Sequence, residues 1–214
     1  MVPAPRCPPP IAMKLEFALA SVCGAFVLGL AVGQDGPAAG AQEPAPAPTP
    51  DDPWLVAGRP GEVHRTLDPL VGEFEVEMRF FGGPEPIEQR GSWRSEWTLD
   101  GRYVEARYEA EYMGEAFVGK SLMGYSNADQ TYKSVWWDSL STNIDYSVGY
   151  ASPDGSRLTM LGSVMNPATG VVEDYQDEFD LTPEGYSFAR TMLIDGQKTR
   201  SMEGVFKRRQ PKAR

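Results

Sequence analysis

Cysteine is almost absent from this chain: its 214 residues hold two, Cys7 and Cys23, both near the start. Whatever folds beyond them can carry no disulfide framework, zinc–thiolate site, iron–sulfur cluster or cysteine nucleophile. Histidine is scarcer still, with His64 alone, which excludes a His-rich metal centre. Basic charge is in short supply. Lys and Arg number 20 against 30 Asp and Glu, a formal net charge of −10. A phosphate-backbone binder needs the opposite sign, so no nucleic-acid partner is expected, and an acidic surface is repelled by anionic lipid. The Gly-x-Ser-x-Gly pattern is missing, and with it the esterase elbow.

Long apolar runs are also lacking, with one exception: "FALASVCGAFVLGLAV" from Phe17 to Val32. It falls short of the roughly 20 residues a spanning helix requires. Lys14 precedes it and Gln34-Asp35 follows it, with small residues at Ala31–Gly33 for cleavage. Residues 1–33 therefore read as a secretory signal peptide. The proline-rich opening "MVPAPRCPPPIA" is foreign to such a leader, which places the expected natural start at Met13. Valine directly before Cys23 departs from the small residue that lipidation requires. Residues 34–60, with "PAAGAQEPAPAPTPDDP", read as a Pro/Ala-rich disordered linker. The expected location is periplasmic or secreted, with no membrane insertion beyond the cleaved leader.

From residue 61 the chain changes character. Turn signals recur at short intervals, among them "FGGPEP", "LDGR", "SNADQ", "SPDGS", "NPATG" and "TPEG". Between them lie alternating pieces rich in Val, Tyr, Phe, Trp and Thr. In "EFEVEMRF", Phe74, Val76, Met78 and Phe80 share one face while Glu73, Glu75, Glu77 and Arg79 share the other. A period of 2 marks a strand with one buried and one solvated face. The same reading gives strands at 72–81, 88–98, 103–112, 116–125, 131–138, 142–151, 157–164, 171–181, 186–194 and 198–208. A short helix is expected at 62–71, where Leu67, Leu70 and Val71 suit an end cap. Ten short strands joined by tight turns have edges to protect, and closure into a barrel removes them. The expected fold is therefore all-β, an antiparallel up-and-down barrel of about ten strands spanning 61–210. A sandwich is the rival, but it would show longer crossovers.

Two stretches concentrate chemistry. In "KSVWWDSLST", Tyr132, Ser134, Trp136 and Asp138 share a face, and Lys133, Val135 and Trp137 share the other. The first face mixes aromatic walls with a few polar groups, as a ligand cavity does. The competing reading is structural: "DSLST" also suits a turn in which Asp138 and Ser139 cap backbone amides. The second stretch, "VVEDYQDEFD", is densely acidic but lacks the glycine and spacing of a calcium loop. It reads as a strand with a charged outer face, with basic partners expected from "KTRSMEGVFKRR".

The residues His64, Leu67, Pro69, Leu70 and Gly72, then Gly119, Gly124 and Tyr125, then Tyr132, Trp136, Asp138, Ser139, Ser141 and Thr142, occur in an order that resembles a bacterial family, domain of unknown function 1579. Two positions depart from its pattern: Glu73-Phe74 stands where the family usually has Thr-Trp, and Trp137 where members often carry a smaller aliphatic. The resemblance implies a lipocalin-like, calycin-type barrel and no established activity. The opening is also distantly similar to nitrobindin-type haem barrels, whose iron is held by a histidine on a late strand. No histidine follows His64, so haem is not expected, nor any other cofactor or metal.

The function expected is binding of a small hydrophobic or amphipathic molecule, with Trp93, Trp97, Tyr125, Tyr132, Ser134, Trp136 and Asp138 as candidate ligand contacts. His64 is placed at the cap or entrance, and no catalytic residue is assigned. The alternatives are an enzyme acting on a small envelope metabolite and a solid-cored structural protein. The oligomeric state stays open between monomer and homodimer.

Overall fold

The computed structural model describes residues 49–194 and 196–210. The signal peptide, the first part of the linker and the possible start at Met13 lie outside the described residues. The linker expected to run to residue 60 gives way earlier, to a five-residue helix α1 (Pro53–Ala57). Asp52 caps it by accepting from the amides of Trp54 and Leu55, and Pro53 suits the first helical position. Asn127 ties the helix exit down by donating to the carbonyls of Ala57 and Arg59.

A 3₁₀ segment, Glu62–Leu70, follows and forms the cap. Ten strands come next: β1 (Gly72–Phe80), β2 (Ile87–Thr98), β3 (Tyr103–Tyr112), β4 (Glu115–Ser126), β5 (Thr131–Asp138), β6 (Asp145–Ala151), β7 (Arg157–Met165), β8 (Val172–Thr182), β9 (Gly185–Ile194) and β10 (Gln197–Arg208). Each pairs antiparallel with its neighbours in sequence. β10 closes on β1, with Val76 opposite Phe206, so the sheet is a closed barrel with no free edge. The all-β barrel and its strand count agree with the sequence reading. β6 begins at Asp145 rather than 142, because Ser141 and Asn143 hold the preceding turn through their own side chains.

Alternation builds the core. Phe74, Val76 and Met78 of β1 and Val104, Ala106 and Tyr108 of β3 point inward and are buried. Leu158, Met160, Tyr186 and Phe206 join them with Leu67 and Leu70 of the cap. The cap is fixed by polar side chains from the barrel wall. Ser95 donates to the Leu70 carbonyl, the Trp97 indole to Asp68 at 3.0 Å, Tyr132 to the Val63 carbonyl at 2.9 Å, and Arg208 to the carbonyls of Val71 and Pro69. A 3₁₀ segment leaves carbonyls unpaired at its end, and Ser95 and Arg208 satisfy them. At the other end no helix or 3₁₀ segment crosses the barrel among the described residues.

Candidate functional site: a cavity in the barrel

Ten strands enclose more space than the inward side chains fill. A cavity of about 440 Å³ runs from Leu70, beneath the cap, to Leu140 and Ser141 in the β5–β6 connection. Leu140 is 55% exposed, so the cavity reaches solvent there, at a mouth. Its walls are aromatic and apolar, with Trp93, Tyr108, Phe117, Trp136, Phe179 and Phe188 among them.

Glycine shapes two of these walls. A Cβ at Gly119 would collide with the Trp136 ring, and one at Gly162 with the Tyr175 ring. Each aromatic therefore lies flat over the neighbouring strand because a hydrogen stands where a side chain would otherwise be. Trp136 runs parallel to Trp93, with centroids 6.2 Å apart, and Trp93 meets Phe206 edge-on at 5.5 Å. The β5 register is unbroken with both β4 and β6, so Trp136 faces inward and Trp137 outward. The ladder's irregularity lies in β10, between Arg200 and Met202.

Three clusters of hydrogen-bonded polar groups line the cavity. Asp138 caps the turn after β5 and holds the wall of the cavity: one carboxylate oxygen accepts from the Trp136 indole at 2.9 Å, the other from the amides of Leu140 and Ser141 at 2.9 and 3.2 Å. Gln89 donates to the Glu111 carbonyl and accepts from the Tyr108 hydroxyl at 3.0 Å. Arg190 forks onto both oxygens of Asp177 at 2.7 and 2.8 Å, with Asp145 at 3.4 Å, and its guanidinium carbon lies 3.9 Å from the Tyr175 ring centroid. Trp93 is the exception: its buried indole N–H has no partner among the described residues.

Burial governs protonation in this cavity. It pushes the Tyr108 and Tyr175 hydroxyls up to about 12 each. Burial also raises the Asp177 carboxyl, against the pull of Arg190. For Arg190 burial opposes the charge, but the hydrogen bonds and charge of Asp177 outweigh it, so the guanidinium is held protonated more firmly than usual.

Of the sequence candidates, Trp93, Ser134, Trp136 and Asp138 line the cavity. Tyr125, Tyr132, Trp97 and His64 gather elsewhere, at the cap. His64 is buried, accepts from the Gly61 amide at Nδ1 and stands edge-on to Tyr125 at 5.5 Å.

The Asp145–Arg190–Asp177 cluster went unread in the sequence, and the acidic strand needs correction. Asp177 shares the inward face with Tyr175 and Phe179 and is buried, so that strand's charge is not all on the outside. Its partners come from its neighbours: Arg190 of β9 takes Asp177, while Arg157 of β7 takes Glu178 and Asp180. Lys207 of the last strand pairs with Glu77 of β1, and Arg209 just beyond that strand pairs with Glu75. The signal was present, since Asp177 is two residues from both Tyr175 and Phe179.

A family model described as "Protein of unknown function (DUF1579)" matches residues 59–208, the whole barrel with its cap. Among solved structures the chain is similar to the crystal structure of Rv2717c from M. tuberculosis. The TM-score is 0.52 at 13% identity, over 71% of this chain and 100% of that one, a likeness of fold alone. No curated protein matches the chain.

Proposed function

The chain belongs to the DUF1579 family of proteins of unknown function, and from that premise we propose that its barrel is a binding module for a small, largely apolar molecule. The observation that carries this reading is the aromatic-walled cavity of about 440 Å³ with a mouth beside Leu140. Its size lies within the range of sites that enclose small ligands, and its few polar groups converge on an apolar interior. The unpaired Trp93 indole adds a demand: a buried donor without a partner costs about 1–3 kcal/mol, and a ligand carrying an acceptor would relieve it.

The barrel is read as lipocalin-like in use as well as outline, carrying its ligand rather than transforming it. Export is part of the proposal. The apolar run at Phe17–Val32 and the absence of cysteine beyond Cys23 support a carrier working outside the cytoplasm. Fractionation that leaves the full-length precursor in the cytosol would remove that part and leave the cavity reading intact.

The test is a titration with neutral apolar probes such as long-chain alcohols, read by tryptophan fluorescence, since Trp93 and Trp136 stand in the wall. Saturable quenching or enhancement is expected. Ser121, directly across from Trp136 on β4, lines the same space, and Ser121→Trp should fill the cavity and abolish the signal. A folded protein that responds to none of the probes overturns the reading.

A further inference from the structure

We infer that the ligand of this cavity carries a positive charge: a hydrophobic amine or quaternary ammonium, with its apolar body inside and its cationic head at the wall of Trp136. This rests on the proposed binding function and names its ligand class. The charged side chains lining the cavity are Asp138, Asp145, Asp177 and Arg190, three carboxylates against one guanidinium. Arg190 is committed to both oxygens of Asp177. Asp138 has no basic partner among the described residues; its contacts are the Trp136 indole and two backbone amides. Asp145 reaches Arg190 only at 3.4 Å.

The placement of the two carboxylates matters as much as their number. Asp145 on β6 stands directly opposite Trp136 on β5, and Asp138 follows Trp136 by two residues on the same face. One aromatic side chain is thus flanked by a carboxylate across the sheet and another along the strand. Ring faces attract cations, most of all when water is displaced, and carboxylates beside them add to the attraction.

The protein already uses this arrangement on one of its own cations. Arg190 lies 3.9 Å over the Tyr175 ring, with Asp177 and Asp145 on its nitrogens. The β5 wall sets a second ring between carboxylates; there Asp145 is shared with Arg190 and accepts from Asn143, while Asp138 meets no cation among the described residues. A ligand carboxylate or sulfate would meet a cavity of net negative charge whose single guanidinium is already paired.

Three probes with the same apolar chain separate the possibilities: decyltrimethylammonium, decanol and decyl sulfate, each titrated below micelle formation against the full chain. The ammonium is expected to bind at least about tenfold tighter than the alcohol, with the sulfate weakest. Asp138→Asn and Asp145→Asn should each lower the ratio of ammonium to alcohol affinity several-fold. Ser121→Trp should abolish ammonium binding. If that binding persists, it belongs to the acidic outer surface and the proposal is overturned. Equal binding of all three probes, a preference for the sulfate, or ammonium binding untouched by both Asn variants overturns the charge assignment while the cavity remains a binding site. Silence from every probe overturns the charge assignment and the binding function together. The three-probe comparison uses the unaltered chain, so it decides the matter even where a variant fails to fold.

Discussion

The two ends of the barrel are made by the same ten strands and treat their inward side chains differently. At the cap end, Ser95, Trp97, Tyr132 and Arg208 all direct donors at the 3₁₀ segment, and Leu67 seals the interior with no exposed surface. Toward the mouth, polar groups pair with one another or with a turn: Arg190 with Asp177, Gln89 with Tyr108, Trp136 with Asp138. The first arrangement fastens a plug. The second lines a space and keeps it from collapsing, because each group is fixed by a partner on the wall rather than one across the cavity. Alternation alone makes a wall; what the inward groups bond to decides whether that wall is core or lining.

The sharpest break in that comparison is at Arg190. Arg190→Met leaves Asp177 buried with its main partner gone and should cost about 3–5 kcal/mol in a denaturant melt. The paired change Arg190→Met with Asp177→Leu should recover most of the loss, because apolar side chains can replace a buried ion pair with little penalty. A double variant as unstable as the single one would show that the guanidinium's place over Tyr175, rather than its pairing, holds the wall.

Leu67→Ala comes next and probes the other end. Removing a fully buried leucine should cost about 2–5 kcal/mol, depending on how far the cap collapses into the hole. No second substitution at the mouth should recover it. The molecules that remain folded should still bind a neutral probe, since the cavity lies below the plug. Loss of binding in step with stability would mean the two ends are one unit.

The fold was largely legible in the sequence because each strand carries its own signal. In β1 and β3 the period of 2 is nearly unbroken, and the intervening turns hold Gly, Asn, Asp or Pro where corners need them. The inward faces of β2 and β5 were legible for the same reason, which is how Trp93 and Trp136 came to be read as neighbours of one interior. The limit appears with Tyr132, Tyr125 and Trp97. They have the right facing for the cavity but sit at the wrong height, opposite the cap, and height depends on register between strands, which one strand's pattern does not encode. Arg190 and Asp177 fail for a related reason. Their pairing crosses from β8 to β9, and a charged residue in a run of charges looks like solvent-facing surface until the partner strand is in place. The cavity itself is a property of ten strands closing together, since alternation says which residues face inward and not whether they meet.

Alkaline pH probes both clusters that involve tyrosine. Tyr108 and Tyr175 are pushed up to about 12 from an ordinary value of 10.0. Between those values the folded protein holds protons that the unfolded chain releases, so stability present below pH 10 should decline as pH rises toward 12. Absorbance at a phenolate wavelength should show the buried phenols of Tyr108 and Tyr175 ionising only near the loss of folded structure. Tyr108→Phe should flatten part of the pH dependence, at the expense of leaving the Gln89 carbonyl without its donor. An unchanged stability across this window would mean that water reaches both hydroxyls and the cavity is wetter than its walls imply.

The smallest effect is expected from the residue that looks most like its neighbour. Trp136 and Trp137 are adjacent in sequence and identical in chemistry, yet only the first reaches the interior. Trp136→Ala removes a ring stacked beside Trp93 and the donor to Asp138, which should cost about 3 kcal/mol, the low end for a large core side chain because the ring lines the cavity. It should also change probe binding. Trp137 is 37% exposed, on the outer face across from Lys120. Trp137→Ala should therefore cost less than about 1 kcal/mol and leave probe affinity where it was. Parallel melts and titrations of the two variants measure how much the inside of this sheet differs from its outside. Equal losses would place Trp137 in an interface with a second molecule, since the unbroken register of β5 leaves no slip within the barrel to account for them.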